Sequence, residues 1–238
     1  YSFAGGRTLD SSLLTPPKPA FHIIQNIDAA GNFIVFTALV QTHTTDTLFA
    51  YIVDTVSGWH SVWKVPVTND SVSISESAIR IVDTSVVVYW QEHVIGMDYR
   101  NRIIVKGISS EVEQHSVTLS DVGDHRYQAQ FIEVDEADKS VVIFARATNR
   151  DEPRWGIQYW RYSIVSGELK SVSEFLPKHT YLTLSDAMLS SDQNVSAVGC
   201  IIDVDRTSMQ LIESTSRGFI CEYDSAPRMK RFLSMQDK

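Results

Sequence analysis

The feature that most constrains the fold is a pattern of four short apolar runs separated by polar turns, which occurs four times along the chain. The four units span about residues 19–66, 77–119, 128–177 and 183–226. Runs rich in Val, Ile, Phe, Tyr and Trp between clusters of Asp, Ser, Asn and Gly are typical of β-strands, and helical periodicity is almost absent. Because one four-stranded sheet cannot bury both of its faces, the repeat predicts blades that stack around an axis.

The second strand of each unit supports stacking on both sides. Residues 86–90 and 141–144 are apolar on both faces, which is expected of a strand covered by a neighbouring sheet on either side. In the third strands, polar and apolar residues alternate more, as residues 158–163 show. This pattern suits a position nearer the rim. The second-strand residues expected to be mostly buried are Val87, Tyr89, Val142 and Phe144.

The predicted fold class is all-β: a β-propeller of four or five four-stranded blades, or a partial propeller from a larger chain. The 238 residues suffice for four or five blades, whereas six to eight blades would need roughly 270–360 residues. Residues 1–18 are interpreted as an N-terminal extension or partial blade, and residues 227–238 as a C-terminal tail or closing strand. The structural alternative is a pair of β-sandwiches, which does not explain an Asp-containing turn at the same place in each unit.

Two sets of turns resemble those of propellers of the TolB and prolyl-oligopeptidase type. Residues 189–198 are similar to the Ser-Pro-Asp-Gly-Lys turn and apolar strand of those blades, and residues 134–140 and 27–32 occupy the equivalent place. Residues 162–169 and 51–58 are similar to the third strand and its following turn. The resemblance implies a propeller at superfamily level. It implies no peptidase activity, because that activity belongs to a separate hydrolase domain in the family.

Composition and motifs argue against several functional classes. With 43% hydrophobic and 21% charged residues the chain is globular, and its net charge of -8 argues against a general nucleic-acid binder. No apolar run approaches the ~20 residues of a membrane span. The sequence has no Gly-x-Ser-x-Gly, His-Glu-x-x-His, Cys-x-x-Cys or Walker motif. We therefore predict a soluble, acidic protein with no catalytic residues, no metal and no cofactor.

The densest set of titratable side chains lies between the second and third units, at Ser116, Asp121, Asp124 and His125. Ser, His and Asp are the residue types of acyl transfer, and Asp oxygens suit Ca²⁺. However, triads are assembled from separate loops, and this segment has no 12-residue calcium loop. We interpret it as a solvated acidic turn.

An arginine-rich and aromatic segment is the best candidate for a binding site. The connection from Arg146 to Trp155 joins the second and third strands of the third unit, and Pro153 limits its freedom. Arginine and exposed aromatic residues are enriched at protein interfaces and also suit stacking on a glycan or nucleotide. We predict that Arg150, Arg154 and Trp155 face a protein partner. The structural alternative is that Trp160 and one tyrosine of the following strand pack between blades, while the arginines neutralise Asp151 and Glu152.

Two functional classes remain. The first is a non-catalytic protein–protein interaction scaffold or assembly module. The alternative is a carbohydrate-active or sugar-binding propeller with carboxylates facing the central channel. Acidic side chains from different blades that converge within about 5–10 Å at one channel mouth would favour the alternative, whereas a channel closed by apolar side chains would favour the scaffold.

The two cysteines, Cys200 and Cys221, lie on adjacent predicted strands of one unit. This placement allows a single bridge, but two buried free thiols are the simpler interpretation.

Overall fold

The computed structural model describes residues 21–41, 46–67, 73–93, 99–109, 113–120, 125–149, 154–208, 210–226 and 228–235. These residues form four antiparallel sheets, each built from four strands that are consecutive in the chain. The protein therefore has an all-β, propeller-like fold, and the sheets are called blades 1 to 4 in chain order.

Blade 1 contains β1 (Phe21–Ala30), β2 (Phe33–Gln41), β3 (Asp46–Asp54) and β4 (His60–Lys64). Blade 2 contains β5 (Ser73–Val82), β6 (Ser85–His93), β7 (Tyr99–Gly107) and β8 (Glu113–Ser120). Blade 3 contains β9 (His125–Asp135), β10 (Ser140–Asn149), β11 (Trp155–Ser163) and β12 (Leu169–Phe175). Blade 4 contains β13 (Thr180–Leu189), β14 (Val195–Asp203), β15 (Arg217–Tyr223) and β16 (Met229–Met235).

The hydrophobic core lies between consecutive blades. In β6, Val86, Val88 and Trp90 pack in the cluster shared with blade 1, whereas Val87 and Tyr89 pack in the cluster shared with blade 3. Successive residues of a strand point to opposite faces, so this division is what an apolar strand between two sheets requires. The middle blades therefore bury both of their faces.

The second strand of blade 3 follows the same rule. Val142 and Phe144 pack toward blade 4, and Val141 and Ile143 pack toward blade 2. The burial predicted for Val87, Tyr89, Val142 and Phe144 is confirmed, with at most 2% of each residue exposed.

Two local irregularities recur in all four blades. The turn between the first and second strands contains one residue with positive φ, and these residues are Gly31, Asp83, Lys139 and Gln193. Each first strand also carries one extra residue relative to its partner, at Gln25, Ser75, Gln130 and Ser185. The recurring turn of the sequence is thus a structural repeat. The bulge changes the direction of the side chains that follow it on the first strand.

The fourth blade differs from the sequence interpretation. The repeat of four apolar runs predicts the third strand of this unit at residues 209–213. Met209 lies outside the described residues, Leu211 forms only an isolated bridge to Val204, and Glu213–Thr215 is a short 3-10 helix. Asp205 accepts hydrogen bonds from the backbone of Thr207 and Ser208, and such local bonds compete with strand pairing. Strand β16 instead completes the blade, in the segment interpreted as a tail or closing strand.

No helix within the described ranges has the length and apolar character needed to cross a membrane.

The cysteines lie in the same blade, as predicted, and both are free thiols. Cys221 on β15 pairs with Ala197 and packs in the core shared with blade 3. Cys200 on β14 is three residues from Ala197 and therefore points to the opposite face of the sheet. A bridge between the two would have to cross the sheet.

We expect a single thiol to react with a disulfide reagent in the folded protein. Burial raises the pKa of Cys221 to about 12, so its reactive thiolate is scarce at pH 8. Native labelling should modify Cys200, and labelling in denaturant should modify both residues. The variant Cys200→Ser should show no native labelling, and fast native labelling of that variant would contradict the burial of Cys221.

We expect Phe144→Ala to lower the free energy of unfolding by ~3–5 kcal/mol, because a buried aromatic ring leaves a cavity. The ring centroid of Phe144 lies 5.0 Å from that of Tyr159 and 5.5 Å from that of Tyr223. Urea unfolding measures the change. The control is Val165→Ala in an exposed turn, with an expected effect within about 0.5 kcal/mol. A similar loss for both variants would contradict stacking of blade 3 on blade 4.

Candidate functional site

The predicted partner-binding residues lie at the start of β11, where blade 3 meets blade 4. Arg150 lies outside the described residues. Arg154 forms a parallel bridge to Thr180, which begins β13, and Trp155 is the first residue of β11. The connection therefore joins the second and third strands of blade 3, in the order that the sequence predicts.

The indole ring of Trp155 is held on two sides. The guanidinium of Arg146 lies 4.6 Å from its centroid, and the ring of Tyr181 meets it edge to face at a centroid distance of 4.6 Å. Arg146 also donates a 3.1 Å hydrogen bond from Nη1 to the Tyr181 hydroxyl. Trp155 is partly buried against the core shared by blades 3 and 4, so its ring is oriented while part of its surface remains exposed.

Arg154 is held by the neighbouring strand. Its Nε donates to the carbonyl of Leu176 at 3.3 Å, and its guanidinium lies 5.8 Å from the centroid of the Phe175 ring. The side chains described in this paragraph and the previous one form a group that we call the arginine–aromatic cluster. Its members are Arg146, Arg154, Trp155, Phe175 and Tyr181.

Arg146 connects this cluster to the first strands of blades 2 and 3. Its Nη2 donates to Gln128 Oε1 at 2.6 Å, and Gln128 Nε2 donates to Glu76 Oε1 at 3.4 Å. The sequence analysis placed Arg146 in the arginine-rich connection but missed Glu76, Gln128 and Tyr181. These three residues lie in the first strands of three different blades, so no local pattern joins them.

The first strands of blades 1, 2 and 3 line a cavity of about 280 Å³. Its lining contains both polar and apolar residues, among them Asn26, Glu76, Arg80, Phe131 and Glu133. Asn26, Glu76 and Phe131 each follow the bulge of their strand directly, so the recurring bulge determines where these side chains lie.

Hydrogen bonds join the inner strands across the blades. Asn26 Oδ1 accepts from the amide of Ile79 at 3.2 Å and from Arg80 Nη1 at 2.7 Å. Asp28 Oδ2 accepts from the amide of Ile81 at 2.8 Å. Arg80 also donates from Nη2 to the carbonyl of Ile132 at 3.1 Å, so its guanidinium joins blades 1, 2 and 3.

Acidic side chains from other blades contribute to the electrostatics of Glu133. Burial raises the pKa of Glu133; Arg80 partly opposes this, and the charges of Asp186 and Asp28 raise the pKa further. Burial likewise raises the pKa of Glu76, which the Gln128 hydrogen bond and the charge of Arg146 partly offset. Interacting acidic groups therefore come from blades 1, 3 and 4, and the cavity is not closed by apolar side chains alone.

The remaining titratable residues singled out in the sequence do not form a described site. Ser116 is exposed on β8, Asp121 and Asp124 lie outside the described residues, and His125 begins β9. Within the described ranges, no three His, Cys, Asp or Glu residues are grouped closely enough to hold a metal ion.

Neither a protein-family model nor a curated protein sequence matches this chain. Solved structures do match it. The polysaccharide lyase Uly1 has a TM-score of 0.52 at 8% identity over 90% of this chain and 72% of that one. The β-propeller domain of the Trilobed protease from Pyrococcus furiosus has a TM-score of 0.51 at 10% identity over 94% of this chain. The acylaminoacyl peptidase of Pyrococcus horikoshii has a TM-score of 0.53 at 9% identity over 92% of this chain.

These likenesses concern the fold alone. They confirm the propeller-type fold that the turn motifs implied at superfamily level. The chain spans 59% of the Trilobed protease domain and 33% of the acylaminoacyl peptidase chain.

We expect Arg146→Ala to lower the free energy of unfolding by about 1–3 kcal/mol, because it removes two hydrogen bonds from a charged donor and a stacking contact. Arg146→Lys should recover little of the loss, since an ammonium cannot reproduce the planar fork. Urea unfolding measures both variants. The surface control is Lys170→Ala, with an expected effect within about 0.5 kcal/mol. If Arg146→Lys had the same free energy of unfolding as the wild type, the geometry of the guanidinium would not matter.

Proposed function

We propose that this chain is a non-catalytic interaction module that docks a protein partner through a surface formed by Arg150, Arg154 and Trp155. The observation that carries the proposal is the fixed orientation of a partly exposed tryptophan between Arg146 and Tyr181. Side chains that are ordered before binding lose less conformational entropy when they bind. Tryptophan and arginine are also the residue types that contribute most to binding at protein interfaces.

The charge of the surface indicates the chemistry of the partner. Arg146 and Arg154 both belong to the arginine–aromatic cluster, and Arg150 lies between them in sequence, in a chain whose net charge is -8. A partner with carboxylates around an apolar depression would satisfy both the guanidinium groups and the indole. The opposite charges would also orient the encounter, because the rest of the chain repels an acidic partner.

A second candidate is a sugar-binding or carbohydrate-active propeller. The observation that favours it is the set of interacting carboxyl groups Asp28, Glu133 and Asp186, which come from three blades. Paired carboxyl groups can act as acid and base toward a glycan, and one protein of similar fold is described as a polysaccharide lyase. Release of reducing or unsaturated chain ends from a polysaccharide panel, lost in Glu133→Gln, would support this candidate.

We expect Trp155→Ala to weaken partner binding by ~2 kcal/mol or more, about 30-fold in Kd, while the protein stays folded. A photo-reactive residue at position 154 would identify the partner by cross-linking, and calorimetry with the purified partner would then measure Kd. The double variant Arg150→Ala, Trp155→Ala should abolish detectable binding.

The matched control is Trp59→Ala, because Trp59 is 44% exposed in the β3–β4 turn of blade 1. It should bind like the wild type. Equal losses for Trp59→Ala and Trp155→Ala, or unchanged binding in the double variant, would show that Trp155 has only a structural role.

A further inference from the structure

Blades 1 and 4 each have one sheet face that does not pack on another blade within the described residues. The hydrophobic clusters of the core join blade 1 to blade 2, blade 2 to blade 3, and blade 3 to blade 4. A fourth cluster contains residues of blade 1 alone. In the part of the chain that the structure describes, no such cluster joins blade 4 to blade 1, so the stack of blades has two end faces.

The three joins between consecutive blades are built in the same way. The first strand of the later blade lies against the earlier blade: β5 contacts β1, β2 and β3, β9 contacts β5 and β7, and β13 contacts β9, β10 and β11. On each of these first strands, the residue directly before the bulge is apolar, is buried and packs into the join. These residues are Ile74, Ala129 and Leu184.

The first strand of blade 1 has the same pattern but is not covered. Ile24 directly precedes the bulge residue Gln25, and Ile27 follows it by two positions. The residues two positions after the bulge in blades 3 and 4, Ile132 and Ala187, pack into the joins. By contrast, Ile24 is 45% exposed and Ile27 is 54% exposed. The side of β1 that would pack on an earlier blade is therefore apolar and open.

The end face of blade 4 is the other half of such a join. Val198 pairs with Asp186, the residue after the bulge of its blade, as Phe144 pairs with Phe131 in blade 3. Phe144 is 1% exposed beneath blade 4, whereas Val198, at the equivalent place, is 36% exposed. The register puts further exposed apolar residues on the same face as Val198: Met188, Leu233 and Met235.

A polar contact also fits this join. Asn26 follows the bulge of β1 and accepts a hydrogen bond from the amide of Ile79, which lies four positions after the bulge of β5. In blade 4, Asp186 has the place of Asn26, and in blade 1, Ala29 has the place of Ile79. An exposed carboxylate on blade 4 thus has the position needed to accept from the inner edge of a β1 strand placed next to it.

The size of the end faces indicates how many joins a second copy must form. β15 and β16 are seven residues long. With strands about 4.8 Å apart and ~3.3 Å per residue, a four-stranded face covers roughly 450 Å². A stable interface buries about 800 Å² on each partner, so one join supplies only about half of that area. Two joins between the same two copies reach it.

We infer that two copies of this chain close one ring of eight blades, with the end face of blade 4 of each copy packed on β1 of the other. Head-to-tail contacts form a closed ring when the rotation between copies allows it, and eight blades lie within the range of about four to eight that propellers have. The contact uses none of the residues of the docking surface around Trp155, so it goes beyond the proposed function.

Sedimentation equilibrium tests the inference, and we expect the wild type to have twice the mass of the chain. Ile27→Asp and Val198→Asp should each raise the Kd of the dimer about 100-fold or more, because each substitution places an unpaired carboxylate in both joins. Both positions are exposed in the single chain, so circular dichroism should show both variants to be folded. The control is Val165→Asp in the exposed β11–β12 turn, which should remain a dimer.

A mixture of the two variants distinguishes a ring from other dimers. A pair made of one Ile27→Asp copy and one Val198→Asp copy has one wild-type join, and both substitutions lie in its other join. The mixture should therefore contain more dimer than either variant alone at the same total concentration.

Three results would overturn the inference. A wild type that stays monomeric at every concentration would show that a second copy does not cover the end faces. Masses that rise beyond that of a dimer would show that the contacts do not close with two copies. A dimer that persists in Ile27→Asp but is lost in Val198→Asp, without recovery in the mixture, would show that blade 4 packs on another blade 4.

Discussion

The rest of the structure depends on the need to bury both faces of each second strand. Residues 86–90 and 141–144 have no polar face to turn toward water, and a four-stranded sheet cannot cover both sides of itself. Blades 2 and 3 solve this by packing between two neighbours. Stacking in this way brings the first strands together at the inside and leaves the hairpin connections at the ends of the blades.

Bringing the first strands together creates a second requirement, because the inner edge of each sheet has backbone groups without a strand partner. Asn26 and Asp28 of β1 accept hydrogen bonds from the edge amides of β5, and Arg80 of β5 donates to a carbonyl of β9. Polar side chains along the inner strands are the physical result, since buried amides and carbonyls must be paired.

Within the arginine–aromatic cluster, one side chain, that of Arg146, also contacts the inner strands of the blades. Arg146 contacts Trp155 and Tyr181 at the join of blades 3 and 4, and it also bonds Gln128, which reaches Glu76 of blade 2. A guanidinium can do this because its planar group offers five donors and two faces. The proposed docking surface therefore rests on a contact network that extends through three blades.

The sequence by itself determined the features that depend on neighbouring residues: the strand-and-turn repeat, the buried second strands, the recurring turn between first and second strands, and the placement of both cysteines in one blade. It could not determine the bulges, the fourth strand of blade 4 or the cavity between the inner strands, because these depend on which strands pair and which blades touch. Asn26 and Arg80 are 54 positions apart, and Arg146 and Tyr181 are 35 apart. Only the stacked blades bring such residues within hydrogen-bonding distance, since periodicity records which face of a strand is buried but not which side chain will meet it from the next sheet.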